Sequence, residues 1–256
     1  MPKLIAGHTL INYDENVPRV IIPKYVFSIA DRAFSERGQI KAIEMGESVK
    51  SIGNYSFRMC YNMKEITLPV RIDDFGMGVF ENCWALESVS LPDGVKRIDT
   101  EMFVECNSLR DIYIPNSVED IDFDAFERVP KLIHIHISPR KLDILPEASR
   151  AIAVLTYMEE HDSDEKQEKI DDISVINDYV EEYGEALTRL AIDQSRTHAI
   201  RYMVRRVLVQ TEHINELVDM AARLRNSEIV ALLIDEQTRI ISGEGSPAEE
   251  SWNPFA

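Results

Sequence analysis

Cysteine is nearly absent: three residues in 256, an odd number that cannot build a disulfide-held scaffold and that suits a reducing compartment. Glycine is also scarce, at ten residues, which leaves little chain for loops that cradle phosphate. The glycine motifs G-x-x-x-x-G-K-[ST], G-x-S-x-G and G-x-G-x-x-G do not occur, nor does H-E-x-x-H. Gly76-Met77-Gly78 lacks the third glycine of a dinucleotide loop. Positive charge is in deficit, with 28 basic against 45 acidic side chains and a net charge of −17. That field disfavours nonspecific binding to nucleic acid or to an anionic membrane. No apolar run approaches the ~18–20 residues needed to span a bilayer. The stretch from Met1 to His8 has no apolar segment of leader type. A cytoplasmic protein is therefore expected, or a secreted or cell-surface one if a leader is missing from this sequence. The remaining composition, 45% apolar and 29% charged, is that of a globular chain with a sizeable core.

That core is written as a repeat. Phe34, Phe57, Phe80, Phe103 and Phe126 stand 23 residues apart. The same register holds for Val26, Val49, Ile72, Val95 and Val118, and for Ile29, Ile52, Phe75, Ile98 and Ile121. It also holds for Ile40, Met63, Leu86, Leu109 and Leu132. Two further columns run from Val20 and Ile22 to Ile135 and Ile137. Pro23, Pro69, Pro92 and Pro115 punctuate the units, with Gly46 in the equivalent slot. No insertion or deletion interrupts the series from Val20 to Ile137. Each unit is read as one coil of a solenoid whose equivalent residues stack in ladders. The end of L-x-x-I-x-L, as in Leu86 to Leu91, alternates like a short strand. Side by side these strands would make a parallel sheet, at the ~4.8 Å spacing of hydrogen-bonded strands. Proline, lacking an N–H for the ladder, ends each one.

The unit P-x-x-V-x-x-I-x-x-x-x-F-x-x-C-x-x-L-x-x-I-x-L resembles the BspA-like bacterial leucine-rich repeat. Five in-phase copies fall within about residues 18–140. Ala33 and Ala125 keep that family's alanine before phenylalanine, while Ser56, Val79 and Met102 depart from it. The resemblance implies a leucine-rich-repeat solenoid and a noncatalytic binding protein, and many such proteins are secreted or surface-attached.

After Ile137 the pattern changes at Ser138-Pro139-Arg140. Residues 1–145 carry 17 basic and 22 acidic side chains, and residues 146–256 carry 11 and 23. The apolar period moves from 2 to 3.6. A helix is expected over 146–161, then a polar break from His161 to Lys166. A second helix should end at Gly184. Four shorter helices follow at roughly 185–194, 197–209, 212–224 and 227–240. The stretch from Leu190 to Val204 aligns with that from Met220 to Ile234 at an offset of 30. The second copy resembles the helical part of an ankyrin repeat, L-A-A-R-x-x-x-x-E-I-V-x-L-L, without its T-P-L-H turn. The fold class is thus α+β: an N-terminal leucine-rich-repeat solenoid with a parallel β-sheet, then an all-α helical-hairpin domain. Boundaries are set at 1–19 for an N-terminal cap or degenerate first coil, 20–140 for the solenoid, 141–241 for the ankyrin-like domain and 242–256 for a flexible tail. Trp252 and Phe255 in that tail are unusual for disorder.

Several groups invite a chemical reading. Cys60, Cys83 and Cys106 share one column, which continues as Arg37 and Val129. A stacked row of reduced, buried thiols fits it better than a disulfide or a zinc site. Asp120, Asp122 and Asp124, with Asp99 and Glu101 a coil earlier, imitate a calcium loop. Ala125 replaces the required glycine, so a solvated acidic rim is expected. Arg201, Arg205 and Arg206 form the one compact basic stretch and should make ion pairs within the acidic second domain. The strand face outside the core is, by resemblance, the usual binding surface. Its rows are Ala42, Glu65, Ser88, Asp111, His134 and Glu44, Thr67, Ser90, Tyr113, His136. Glu44, Glu65, Thr67, Ser88, Ser90, Asp111, Tyr113, His134 and His136 are therefore the candidate partner-binding residues, with Tyr113 the aromatic anchor.

The function expected from these features is a noncatalytic protein–protein interaction module or scaffold. It would use the sheet face and the acidic helical domain, and no cofactor or resident metal is expected. The first alternative is an extracellular or surface adhesin that binds host proteins. The second is a metal-binding or enzymatic site near His134 and His136. The partner is a protein and not nucleic acid, and no membrane span is expected. Homo-oligomerisation through the N-terminal solenoid edge is left open.

Overall fold

The computed structural model describes residues 3–163, 169–206, 208–209 and 213–242. The chain divides into two compact units, with the boundary between Arg150 and Ala151. The tail beyond Ser242, with Trp252 and Phe255, lies outside the described residues.

The first unit is a solenoid of about six turns, and each turn gives one short strand to each of two ladders. The front ladder consists of β3 (Arg19–Ile21), β5 (Ala42–Glu44), β7 (Glu65–Thr67), β9 (Ser88–Ser90), β11 (Asp111–Tyr113) and β13 (His134–His136). The side ladder consists of β4 (Ser28–Ile29), β6 (Ser51–Ile52), β8 (Asp74–Phe75), β10 (Arg97–Ile98) and β12 (Asp120–Ile121). Pairing is parallel, and the register advances by one 23-residue unit per strand: Val20 lies opposite Ile43, and Ile43 opposite Ile66. Ile112 likewise faces both Val89 and Ile135. The central residue of each front strand points inward, so its two neighbours point outward, as the alternation predicts.

At the start of the chain, β2 (Thr9–Tyr13) occupies a coil position, with Leu10 opposite Ile29 in parallel pairing. Then β1 (Lys3–Ala6) folds back antiparallel on β2 and covers the end of the side ladder. On the front ladder β3 is the terminal strand, and its Ile21 is exposed.

The phenylalanine column is a continuous aromatic spine. Tyr13 stacks on Phe34, and successive rings from Phe34 to Phe126 lie 5.2, 5.9, 5.6 and 5.8 Å apart. Phe34, Phe57, Phe80 and Phe103 are fully buried. Beside them, the thiols of Cys60, Cys83 and Cys106 donate to the carbonyls of Phe34, Phe57 and Phe80 at 3.1–3.2 Å. All three cysteines are free and buried. Burial pushes the Cys60 and Cys106 thiols up to about 12, and Cys83 is raised as well.

The third side of each coil turns through two left-handed residues at fixed positions. One column is Arg32, Tyr55, Gly78 and Glu101, and the other is Glu36, Met59, Asn82, Glu105 and Arg128, all with φ between +55° and +64°. Inter-coil hydrogen bonds hold this bend. Arg32, Phe34 and Glu36 donate N–H to the carbonyls of Asn54, Ser56 and Arg58 at 2.8–2.9 Å, and the next coil repeats the pattern. Within these two columns glycine stands only at Gly78. The ring of Tyr55 lies where a Cβ would stand, on its way to donate a hydrogen bond to Glu101 two coils on, at 3.1 Å.

Both ladders are interrupted between the same two coils, β7 from β9 and β8 from β10. Ile66, Leu68 and Phe75 beside this seam are only half-buried, unlike their column mates within the series; only Ile137, at its far end, is equally open. Gly94 (φ +97°) lies here, with the Ile72 carbonyl against it where a side chain would begin. The coils stay joined through the Ile72 N–H donated to Asp93 and through the third side, where Phe80 and Asn82 donate to Met102 and Val104.

A 3-10 helix, Pro139–Ile144, follows β13, and α1 (Glu147–Glu160) crosses the unit boundary. The second unit contains α2 (Ile170–Asp193), α3 (Thr197–Arg205), α4 (Ile214–Arg223) and α5 (Ser227–Ser242). The expected helix end at Gly184 is corrected. Gly184 is buried in the middle of the 24-residue α2, and the segment expected as a separate helix over 185–194 is its second half. Val180, Leu187 and Ala191 on the same buried stripe carry the helix through, and the Thr188 hydroxyl donates to the Gly184 carbonyl at 2.7 Å. The offset of 30 reappears as geometry. Ser195 and Arg225 both take φ near +57°, and the N–H groups of Arg196 and Asn226 donate to the carbonyls of Ala191 and Ala221. These are left-handed helix caps of one design. In the resulting pairs α2 packs on α3 and α4 on α5, while α2 also packs on α4 and α3 on α5.

Candidate interaction face

The front ladder lays out the two outward rows as the alternation requires. In one, Ala42 lies opposite Glu65, and Asp111 opposite both Ser88 and His134. In the other, Glu44 lies opposite Thr67, and Tyr113 opposite both Ser90 and His136. The seam splits this face into two patches. The first, on β3, β5 and β7, holds Glu44, Glu65 and Thr67, all exposed. It also includes Arg19 and Ile21, which sequence reading left out although Val20 between them belongs to an inward column. Arg19 pairs with Glu44 at 3.1 Å, with both side chains half-exposed, so the bond adds little stability.

The second patch, on β9, β11 and β13, is more organised. Tyr113 lies flat on His136, with ring centroids 3.9 Å apart and planes within 3°. Nδ1 of His134 lies 2.6 Å from the Asp111 carboxylate, and Nε2 of His136 lies 4.0 Å from the same oxygen. The stack immobilises two rings before any partner arrives, which lowers the entropic cost of contact. Tyr113 remains 46% exposed, so its outer surface is available. Ser88 and Ser90 beside it are small and exposed.

Elsewhere the structure absorbs the other groups. Arg97 lies within 2.9–3.8 Å of Asp99, Asp120 and Asp122, and Thr100 donates to Asp122. That hydroxyl, with neighbouring N–H groups, holds the Asp122 carboxyl below its ordinary value. Arg201 and Arg205 both donate at 2.8 Å to Asp162, a buried carboxylate that also faces His198. Arg201 reaches Glu228 as well, and the Arg206 guanidinium sits over the Tyr202 ring. Asp162 was not singled out from the sequence. The signal was the Arg201/Arg205 pair at i,i+4, which needs an acid. Another overlooked feature is the contact of Tyr61 with Trp84 on adjacent coils, rings 4.5 Å apart; their 23-residue spacing marks it.

With the coils in hand, comparison settles the family. The pattern described as the BspA type leucine-rich repeat region matches residues 11–148 in six copies. The chain belongs to this family. Among solved structures it is similar to a leucine-rich cell surface protein of Faecalibacterium prausnitzii, with 30% identity and a TM-score of 0.52, covering 54% of this chain and 38% of that one. It is also similar to the leucine-rich repeat protein of T. pallidum (25%, TM-score 0.49, 52% and 64% covered). A leucine-rich repeat protein of Bacteroides ovatus is a further match (27%, TM-score 0.46, 53% and 38% covered). The chain thus spans less than two thirds of each of these proteins. A search of curated proteins finds no match. Among the described residues, no helix of this BspA-type protein is long and apolar enough to cross a membrane.

Proposed function

We propose that the protein is a noncatalytic protein-binding module and that the second patch of the front face, with Tyr113 at its centre, is where the partner docks. The observation that carries this is the preformed Tyr113–His136 stack, half-exposed and flanked by the small residues Ser88 and Ser90 and by Asp111 and His134. A rigid aromatic set among polar neighbours is the composition of an interface anchor. Glu44, Glu65 and Thr67 extend the same surface across the seam, and the terminal strand β3 offers an edge to which a second copy would add. The acidic helical unit supplies the second surface. For location we favour the cell surface over the cytoplasm, because the Faecalibacterium relative carries that description.

The test uses the full chain, immobilised and exposed separately to envelope and cytosolic fractions of the source cell and to host-cell extracts. A partner held by this face is lost when Tyr113→Ala is combined with Ser88→Arg, and kept when the exposed Lys96 is changed to Ala. Tyr113→Ala alone should weaken the partner by about 30-fold or more, the loss expected of an aromatic hot spot. Capture that survives the double variant removes the face from the interface. Capture from cytosol alone removes the surface location.

A further inference from the structure

We propose that Asp111, His134 and His136 form a binding site for one divalent transition-metal ion of the zinc class. Among the described residues this is the only group of three or more histidine, cysteine or carboxylate side chains whose donor atoms converge, all within 4.8 Å of one another. Its geometry follows from the ladder. His134 and His136 stand two residues apart on β13 and project to the same side, and Asp111 on β11 is the direct cross-strand neighbour of His134. The backbone register thus brings three donors to one point from two adjacent strands.

The distances are near those of an occupied site. Donors bound at ~2.0–2.1 Å in tetrahedral array are separated by roughly 3.3 Å. Here the Asp111 oxygen lies 2.6 Å from Nδ1 of His134 and 4.0 Å from Nε2 of His136. An ion at the centre of the three would draw the Asp111–His136 pair together and open the Asp111–His134 pair, each by about 0.7 Å, while the strands keep their register. The short His134–Asp111 contact is held by a proton, and the ion replaces that proton between the same two atoms. Two imidazoles and one carboxylate suit Zn²⁺, Co²⁺ or Ni²⁺ and not the all-oxygen preference of Ca²⁺ and Mg²⁺. The three side chains are between 17% and 33% exposed, which leaves the outer coordination positions to water.

The experiment is calorimetric titration of the chelator-stripped full chain with Zn²⁺ alone, repeated with Co²⁺ read by visible absorption. One ion per chain is expected, with affinity falling as pH drops from 7.5 to 5.5 because protons compete for both rings. His134→Ala and His136→Ala should each weaken binding by about 100-fold or more, at or beyond the upper end of what losing an outer-shell partner costs. Asp111→Asn, which keeps the side chain's shape, should weaken it by about 10-fold or more and guards against a histidine variant that does not fold. His8→Ala combined with His213→Ala should leave binding intact. The proposal is overturned by the absence of saturable 1:1 binding below about 1 mM Zn²⁺. It is overturned equally by binding that survives Asp111→Asn and the His134→Ala/His136→Ala pair. No partner protein takes part, so the outcome is independent of the docking proposal.

Discussion

Removing one ring from the middle of the aromatic spine tests whether the solenoid core is a single cooperative ladder. Phe80 is fully buried, and its ring lies 5.9 Å from Phe57, 5.6 Å from Phe103 and 6.1 Å from Phe75. Phe→Ala in a core costs about 3–5 kcal/mol, and each aromatic pair lost contributes about 0.5–1.5 kcal/mol of its own. With three ring neighbours and coils on both sides that cannot collapse without breaking register, Phe80→Ala should fall at the upper end, about 4–5 kcal/mol. At a urea slope of about 2 kcal/mol per molar, the unfolding midpoint drops by about 2 M. Phe126 is the internal control. It is partly exposed and closes the ladder against Phe103 alone, so Phe126→Ala should cost about half as much. Phe80→Leu, which keeps most of the volume, should cost less than about 1.5 kcal/mol. Trp84 reports on the solenoid, and a Trp252→Phe background makes it the sole tryptophan. If Phe80→Ala shifts the midpoint no further than Phe126→Ala, the rings are not a continuous core and the ladder reasoning fails.

Two further outcomes follow from buried polar chemistry. Burial keeps the folded Cys60 and Cys106 thiols protonated to about 12, whereas unfolded thiols ionise near 9, so the unfolded chain holds fewer protons between those values. Stability should therefore be flat below about pH 8 and fall above it by up to ~1.4 kcal/mol per pH unit for each thiol; urea melts from pH 7 to 11 should show this, and a Cys60/Cys83/Cys106 triple alanine variant should flatten it. Asp162→Asn leaves His198, Arg201 and Arg205 facing an uncharged amide and should cost about 2–3 kcal/mol. That is below the full figure for breaking a buried pair, because the two guanidinium groups stay about one-third exposed; an unchanged thermal midpoint of the helical signal would mean the cluster is merely solvated.

The 23-residue period made the coils, the inward columns and the outward rows legible because every strand repeats the same burial problem. A one-residue slip would turn Val89 or Ile112 to water, so register follows from pattern alone. The bends on the third side were hidden for a related reason. Left-handed backbone usually announces itself by glycine, yet nine positions with φ between +55° and +64° carry Arg, Tyr, Glu, Met, Asn and a single glycine. What holds them is the hydrogen bonding of each coil to the next, which no single residue records. The seam was hidden for the opposite reason. Residue spacing is unbroken from Val20 to Ile137, and the interruption arises where Asp93-Gly94 replaces the Val70-Arg71 of the previous coil.

Gly184 and Asp111 show where local signals yield to tertiary context. A glycine inside a helix costs about 1 kcal/mol relative to alanine, which is why a helix end was expected there. Burial of Val180, Leu187 and Ala191 on one stripe outweighs that cost, and the helix runs on. At Asp111 the row position was legible, and so was its nearness to His134 and His136 as a candidate metal site, but the contacts themselves were not. Alternation places Asp111 beside His134 and Tyr113 beside His136 on one face, each pair at strand spacing, about 5 Å apart, a distance at which carboxylate and imidazole need not meet. The 2.6 Å contact of His134 with Asp111, and the flat stacking of Tyr113 on His136, are set by side-chain rotation. A repeat sequence therefore specifies its frame more strongly than its surface. Inward columns are held by the same constraint in every coil, whereas an outward cluster of unlike residues belongs to one coil pair and departs from the repeat, which is where a particular ligand is to be sought.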